Sequence, residues 1–148
     1  MTRQTKATKF ARIAAKIRKM PSVRADGSVG THPSVPCPPL PEDEVTVQSK
    51  EWLERHGCVM DRLNNGAGYL NGRTDFLRYG VIGGGDFIGM LPGGRHLEIE
   101  FKKGAGGTLS KEQLKRMKRV RRGHGVYEVI HGVPELEHKI LPILRNCA

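Results

Sequence analysis

The sequence predicts a small domain of mixed α/β class, and three observations carry that reading. Residues 86–91 and 95–102 form two strand-like runs separated by Pro92-Gly93-Gly94, the residue types that a tight connection demands. A glycine-rich loop follows, and Ser110-Lys-Glu-Gln113 has the spacing of a capping box at the start of a helix. Residues 126–131 are rich in β-formers and read as a further strand, which the intervening helix can carry across to lie beside the hairpin.

The hairpin is also where the chemistry concentrates. Pairing Leu91 with Arg95 sets Asp86 directly opposite Glu100. Because strand side chains alternate, Glu98, Glu100 and Lys102 share one face, while Leu97, Ile99 and Phe101 take the other, an apolar face suited to a core. Opposed residues in an antiparallel pair have Cβ atoms roughly 4.5–5.5 Å apart. Two carboxylates at that spacing repel unless they share a cation, and an oxygen-only pair suits Mg2+ or Mn2+. Lys102 would place an ammonium beside the ion, where it can orient or deprotonate a water or neutralise charge developing on a phosphate. Such a combination describes phosphodiester hydrolysis. Gln113 has two readings, as a helix cap alone or as an amide aimed at the same point.

With these residues in view, the chain resembles the PD-(D/E)xK nuclease superfamily and, within it, the VRR-NUC branch. Asp86, Glu100-x-Lys102 and the glycine loop ending in Leu-Ser-x-x-Gln113 carry the resemblance, which spans residues 42–132. It implies a restriction-endonuclease-like core with a central mixed β-sheet flanked by helices, divalent-metal-dependent cleavage of DNA, and a role in recombination or repair. Small stand-alone members, many of them viral, are similar to Holliday-junction resolvases and are expected to act on branched DNA as homodimers, with no small-molecule cofactor. In that family a helix supplies a further acid. Glu44 fits it by its spacing to Gln48 and Trp52-Leu53, with Glu51 as the alternative. The assembly so implied has Asp86 and Glu100 holding the metal, the Phe101 carbonyl adding a ligand, Lys102 positioning the attacking water, and Gln113 and Glu44 orienting the set. Gly85 stands where the superfamily motif has Pro.

Size and composition bound the rest. A chain of 148 residues with 37% hydrophobic content suits one domain plus a tail. The net charge of +10 is uneven, since residues 1–25 hold eight Lys or Arg and no acid. That balance favours a polyanion partner, DNA above all, although packaging and ribosome-associated proteins would show the same sign. A non-catalytic basic nucleic-acid-binding protein is therefore the alternative function. Cys37, Cys58 and Cys147 are scattered and odd in number, which argues against a disulfide framework or a zinc site and for a reducing, intracellular setting. With no run near the ~18 apolar residues of a membrane span, a soluble cytoplasmic protein is expected.

Along the chain, residues 5–20 read as a basic helix, open to three interpretations: a DNA-gripping arm, a solvated tail or an organelle-import segment. Residues 21–41 contain six of the nine prolines and read as an extended linker before a domain spanning 42–148. Pro41-Glu-Asp-Glu opens a helix with Val45, Gln48, Trp52 and Leu53 as its face, stopped by Gly57. A short strand is expected over 58–63 and a loop over 64–72, while 74–81 is ambiguous between helix and strand. Arg62, Asn64, Asn65, Arg73 and Lys103 are candidate phosphate contacts, though ordinary turns explain the asparagines equally well. Residues 109–122 form a helix with Leu114, Met117 and Val120 inward. Lys111, Lys115, Lys118 and Arg119 on it are candidate DNA contacts, unless the charge run is simply a solvated face. The glycines at 83–85 and 104–107 match no nucleotide-binding fingerprint and read as points of close backbone approach, for instance by DNA. Residues 134–144 are expected to form a last amphipathic helix. His96 and His124 could flank the site or be structural.

Overall fold

The hairpin forms in the register that its turn dictates. Gly93 and Gly94 both adopt positive φ, 89° and 84°, and the chain closes with Leu91 N–H donating to the Arg95 carbonyl at 2.9 Å. Phe87 then pairs with Ile99 and Met90 with His96, the predicted register.

A computed structural model describes residues 23–70 and 75–147 of the chain. The expected N-terminal helix and Arg73 lie outside the described residues. In chain order the elements are β1 (Val29–Thr31), α1 (Glu42–Arg55), β2 (Val59–Arg62), β3 (Gly66–Leu70), β4 (Asp75–Tyr79), β5 (Phe87–Met90), β6 (His96–Phe101), β7 (Gly107–Leu109), α2 (Lys111–Arg122), β8 (Val126–Ile130), α3 (Val133–Lys139) and α4 (Leu141–Arg145). The central sheet is four-stranded and mixed, ordered β2-β5-β6-β8, with β8 parallel to β6 and the other pairs antiparallel. Its helices give the mixed α and β class expected, with α2 spanning the parallel crossover.

Alternation along β6 separates the two faces. Leu97, Ile99 and Phe101 are fully buried in one apolar cluster with Val45, Trp52 and Leu53 of α1 and Leu136 of α3. Glu98 and Glu100 point to the opposite face, which α2 covers through Arg116. On α1 the inward set is Val45, Ser49, Trp52 and Leu53, a clean i, i+4, i+7, i+8 stripe, so Gln48 is exposed rather than inward.

Four expectations change. The described part of the 21–41 segment is no loose linker: β1 pairs with β7, and the Ser34 N–H donates to Glu135 at 2.9 Å. Pairing with β1 also draws Leu109 out of the helix, which starts after its cap at Ser110. The loop expected from residue 64 instead contains β3, and the ambiguous 74–81 segment resolves to β4; aromatic residues suit a ladder, and Tyr69 meets Phe76 across it. The last helix breaks into α3 and α4 around Ile140, because Pro142 lacks the N–H that a continuous helix would bond back to residue 138.

The glycine runs do mark close approaches, but of the chain to itself. A Cβ on Gly83 would lie 2.2 Å from the Glu112 carbonyl oxygen, and one on Gly104 would lie 1.8 Å from that of Pro38. No described helix is long and apolar enough to cross a membrane.

Candidate active site

Asp86 sits just before β5, next to the Phe87–Ile99 pair, and its Oδ2 accepts the Phe101 N–H at 2.7 Å. That bond ties the acid to the neighbouring strand. Glu100 is 3% exposed. Its Oε1 is ion-paired with the Lys102 ammonium, whereas Oε2 is buried with no hydrogen-bond partner among the described residues. Burial pushes the Glu100 carboxyl above its ordinary range and the Asp86 charge pushes it further, only partly opposed by Lys102 and the Gln113 amide. The sequence therefore brought Asp86, Glu100 and Lys102 to one place, and the structure leaves one carboxylate oxygen there unmatched.

Gln113 forms the cap of α2 with Ser110. Its Oε1 accepts the Ser110 N–H at 2.8 Å while its own N–H donates to Ser110 Oγ at 3.1 Å, completing the capping box. The same side chain favours the ionised form of Glu100. Tyr127, fully buried, donates its hydroxyl to the Gly83 carbonyl at 3.3 Å. Burial raises its phenol, and the charges of Glu100, Glu98 and Asp86 raise it further, so it stays a neutral donor among acids.

Glu98, two residues before Glu100, is matched where Glu100 is not. Arg116 Nε reaches both carboxylate oxygens at 3.1 and 3.2 Å, its Nη2 adds an ion pair, and His96 Nε2 donates at 2.7 Å. Burial alone would raise the Glu98 carboxyl, but the hydrogen bonds from Arg116 and His96 outweigh it and lower it. His96 is thus a structural partner of Glu98. His124 holds a turn at φ 63° and lends its carbonyl to Arg95 at 2.6 Å.

A cleft of about 300 Å³ opens beside Asp86, lined by Glu42, Asp43, Thr46 and Val47 of α1 together with Arg62, Asp86 and Phe87. Arg62, at the end of β2, thus shares the cleft with Asp86. Glu44 is not in this lining. Each residue advances about 100° around a helix, so Glu44 turns to a neighbouring groove with Asp43, Val47 and Gln48, and Glu51 to one with Glu54 and Arg55. Glu42 and Asp43 are the helix acids that share the cleft, where their sequence positions mark them only as first-turn charges.

Among the described residues no group of three or more His, Cys, Asp or Glu side chains converges to hold a metal, so the carboxylate set is the Asp86–Glu100 pair. The pair still suits a hard divalent cation. Both donors are oxygens, one is buried and unpartnered, and their mutual repulsion is what a cation relieves. On α2, Lys111, Lys115, Lys118 and Arg119 are exposed, as is Lys103, while Arg121 is turned onto the Tyr127 carbonyl and Glu128. Asn65 is structural: its Oδ1 accepts the Val81 N–H at 2.7 Å. The three described cysteines are free. The chain matches no protein-family model, no curated protein and no solved structure.

Proposed function

We propose that the protein is a divalent-metal-dependent DNA endonuclease that hydrolyses phosphodiester bonds. The observation that carries this reading is Glu100 Oε2, a buried and unpartnered carboxylate oxygen beside a second carboxylate, Asp86. Burying such a group unmatched costs on the order of 1–3 kcal/mol or more, which a bound cation would offset. Asp86, Glu100 and the Phe101 carbonyl would hold Mg2+ or Mn2+, which when bound would supply charge neutralisation and water activation. Lys102, its side chain 13% exposed, keeps an ammonium beside Glu100, within reach of a water or a phosphate oxygen. Gln113 steadies Glu100, and the role first given to Glu44 passes to Glu42 or Asp43 across the cleft. The resemblance to VRR-NUC nucleases adds a restriction-endonuclease-like core, branched DNA such as a Holliday junction as substrate, and a homodimer.

A second reading has its own support. Lys102 already neutralises one oxygen of Glu100, and no third acid joins the pair among the described residues. The acids would then be structural and the protein a non-catalytic, basic nucleic-acid binder. Four-way junctions, flaps, single strands and plain duplex, incubated with the protein in Mg2+, Mn2+ or EDTA, separate the two. The nuclease reading expects metal-dependent cleavage that Asp86→Asn and Glu100→Gln abolish and Lys102→Ala slows by about 10²–10⁴-fold, with DNA affinity retained. Binding without cleavage under every condition, or full activity in both carboxylate variants, contradicts it.

A further inference from the structure

The β3–β4 ribbon exposes a set of large apolar side chains that the site described above does not use. Tyr69, Phe76, Leu77 and Tyr79 are each between 47% and 65% exposed. Clustered exposure of this kind on a two-stranded ribbon marks a surface that meets something. Tyr79 is accounted for within the fold, since its ring lies over Gly66, where a Cβ would come within 2.2 Å of it. Tyr69, Phe76 and Arg78 are not.

These three share one face of the ribbon. Tyr69 pairs with Phe76 across the ladder, and Arg78 follows Phe76 by two residues. The rings of Tyr69 and Phe76 meet edge to face with centroids 5.2 Å apart, and the Arg78 guanidinium stands 5.8 Å from the Phe76 centroid. Two exposed aromatic rings, one with a guanidinium over it, offer stacking for bases and a positive charge for the backbone that links them.

The ribbon's place in the chain sets its target. It is inserted between Arg62, the end of β2, and Asp86, just before β5, and these two strands are hydrogen-bonded neighbours. It therefore leaves the sheet at the end that carries Asp86, Glu100 and Lys102. Its return limb, through Gly83, rests on the first turn of the basic helix α2. Arg62 at the stem lines the same cleft as Asp86.

We infer that the Tyr69–Phe76–Arg78 face of the ribbon stacks the unpaired bases of single-stranded or splayed DNA and so delivers strand junctions to the adjacent acids. This rests on reading the chain as a DNA endonuclease and assigns the feature of the substrate that it selects. Duplex ends and interiors keep their bases stacked on one another, whereas flaps, gaps and single strands free them.

The test uses the full chain in EDTA, so that it is independent of cleavage. Binding of an oligothymidine and of a blunt duplex of equal length is compared for the wild type, for Tyr69→Ala combined with Phe76→Ala, and for Tyr69→Phe. The double variant is expected to bind the single strand about 5- to 150-fold more weakly, with a clearly smaller loss on duplex, and Tyr69→Phe to stay within about twofold of wild type. A Tyr69→Trp variant reports on the fold left intact: its emission should be quenched by the single strand and not by the duplex, against a constant background from Trp52, which is buried at 5% exposure. Equal losses on both DNAs, no loss, or no quenching overturns the inference. So does a change of oligomeric state in the double variant, which would assign the face to a second copy of the chain. Cleavage by Glu100→Gln is scored separately in Mg2+, so failure of the nuclease reading and failure of the stacking face give different results.

Discussion

Glu98 and Glu100 stand two residues apart on the same face of β6, yet one is a completed ion pair and the other is not. For Glu98, the charge of Arg116 and the His96 hydrogen bond replace the water lost on burial. Removing Arg116 strands a buried charge, so Arg116→Ala should cost about 3 kcal/mol in urea unfolding; a loss under about 0.5 kcal/mol would show the pair to be idle. Both glutamates were legible as neighbours because strand alternation is rigid and a three-residue turn fixes the register. Arg116 was not. It is one of seven basic residues on a single helix, and only the packing of α2 on the sheet tells which of them turns inward. The same gap separates Glu42 and Asp43 from Glu44, since a sequence gives the period of a helix but not its rotation about its own axis against the sheet.

At the scale of elements, the N-terminal strap shows how far composition can mislead. Six prolines between residues 21 and 41 suggest a free linker, but Thr31, Ser34 and the α3 side chains fasten it down. His131 Nδ1 donates to Glu135 at 2.7 Å, the Thr31 hydroxyl meets His131 Nε2 at 3.0 Å, and Lys139 reaches Glu135 at 2.8 Å. Burial alone would raise the Glu135 carboxyl. Hydrogen bonds from His131, Lys139 and the Ser34 N–H outweigh it and hold the carboxyl far below its ordinary range. A depressed carboxyl contributes stability that is complete above the unfolded value, about 4.3 for Glu, and is lost as pH falls below it toward the folded value. Thermal unfolding followed from pH 7 down to pH 2 should show that loss in the wild type, and a smaller one in Glu135→Gln, which starts from a lower melting temperature. Parallel curves for the two proteins would remove Glu135 as the anchor. The strap and the β3–β4 ribbon were hidden for a shared reason: their partners lie in distant parts of the chain or in a glycine-rich stretch whose turn residues outweigh its aromatics.

Across the whole molecule, a four-stranded mixed sheet sets apolar packing on one face and the buried glutamates on the other, and places the acids, the cleft and the root of the β3–β4 ribbon at one end. The positive excess that sequence composition assigns to a polyanion partner lies largely in residues 1–25, while α2 carries exposed charge within the described fold. Neither source of charge tests the proposed metal centre, which rests on the Asp86–Glu100 pair. Calorimetric titration of the full chain with Mn2+ therefore reaches the central claim most directly. Saturable binding is expected in the wild type, and its loss in both Asp86→Asn and Glu100→Gln. Variants that bind Mn2+ as tightly as the wild type, or a wild type that binds none, would contradict a metal centre at these two carboxylates.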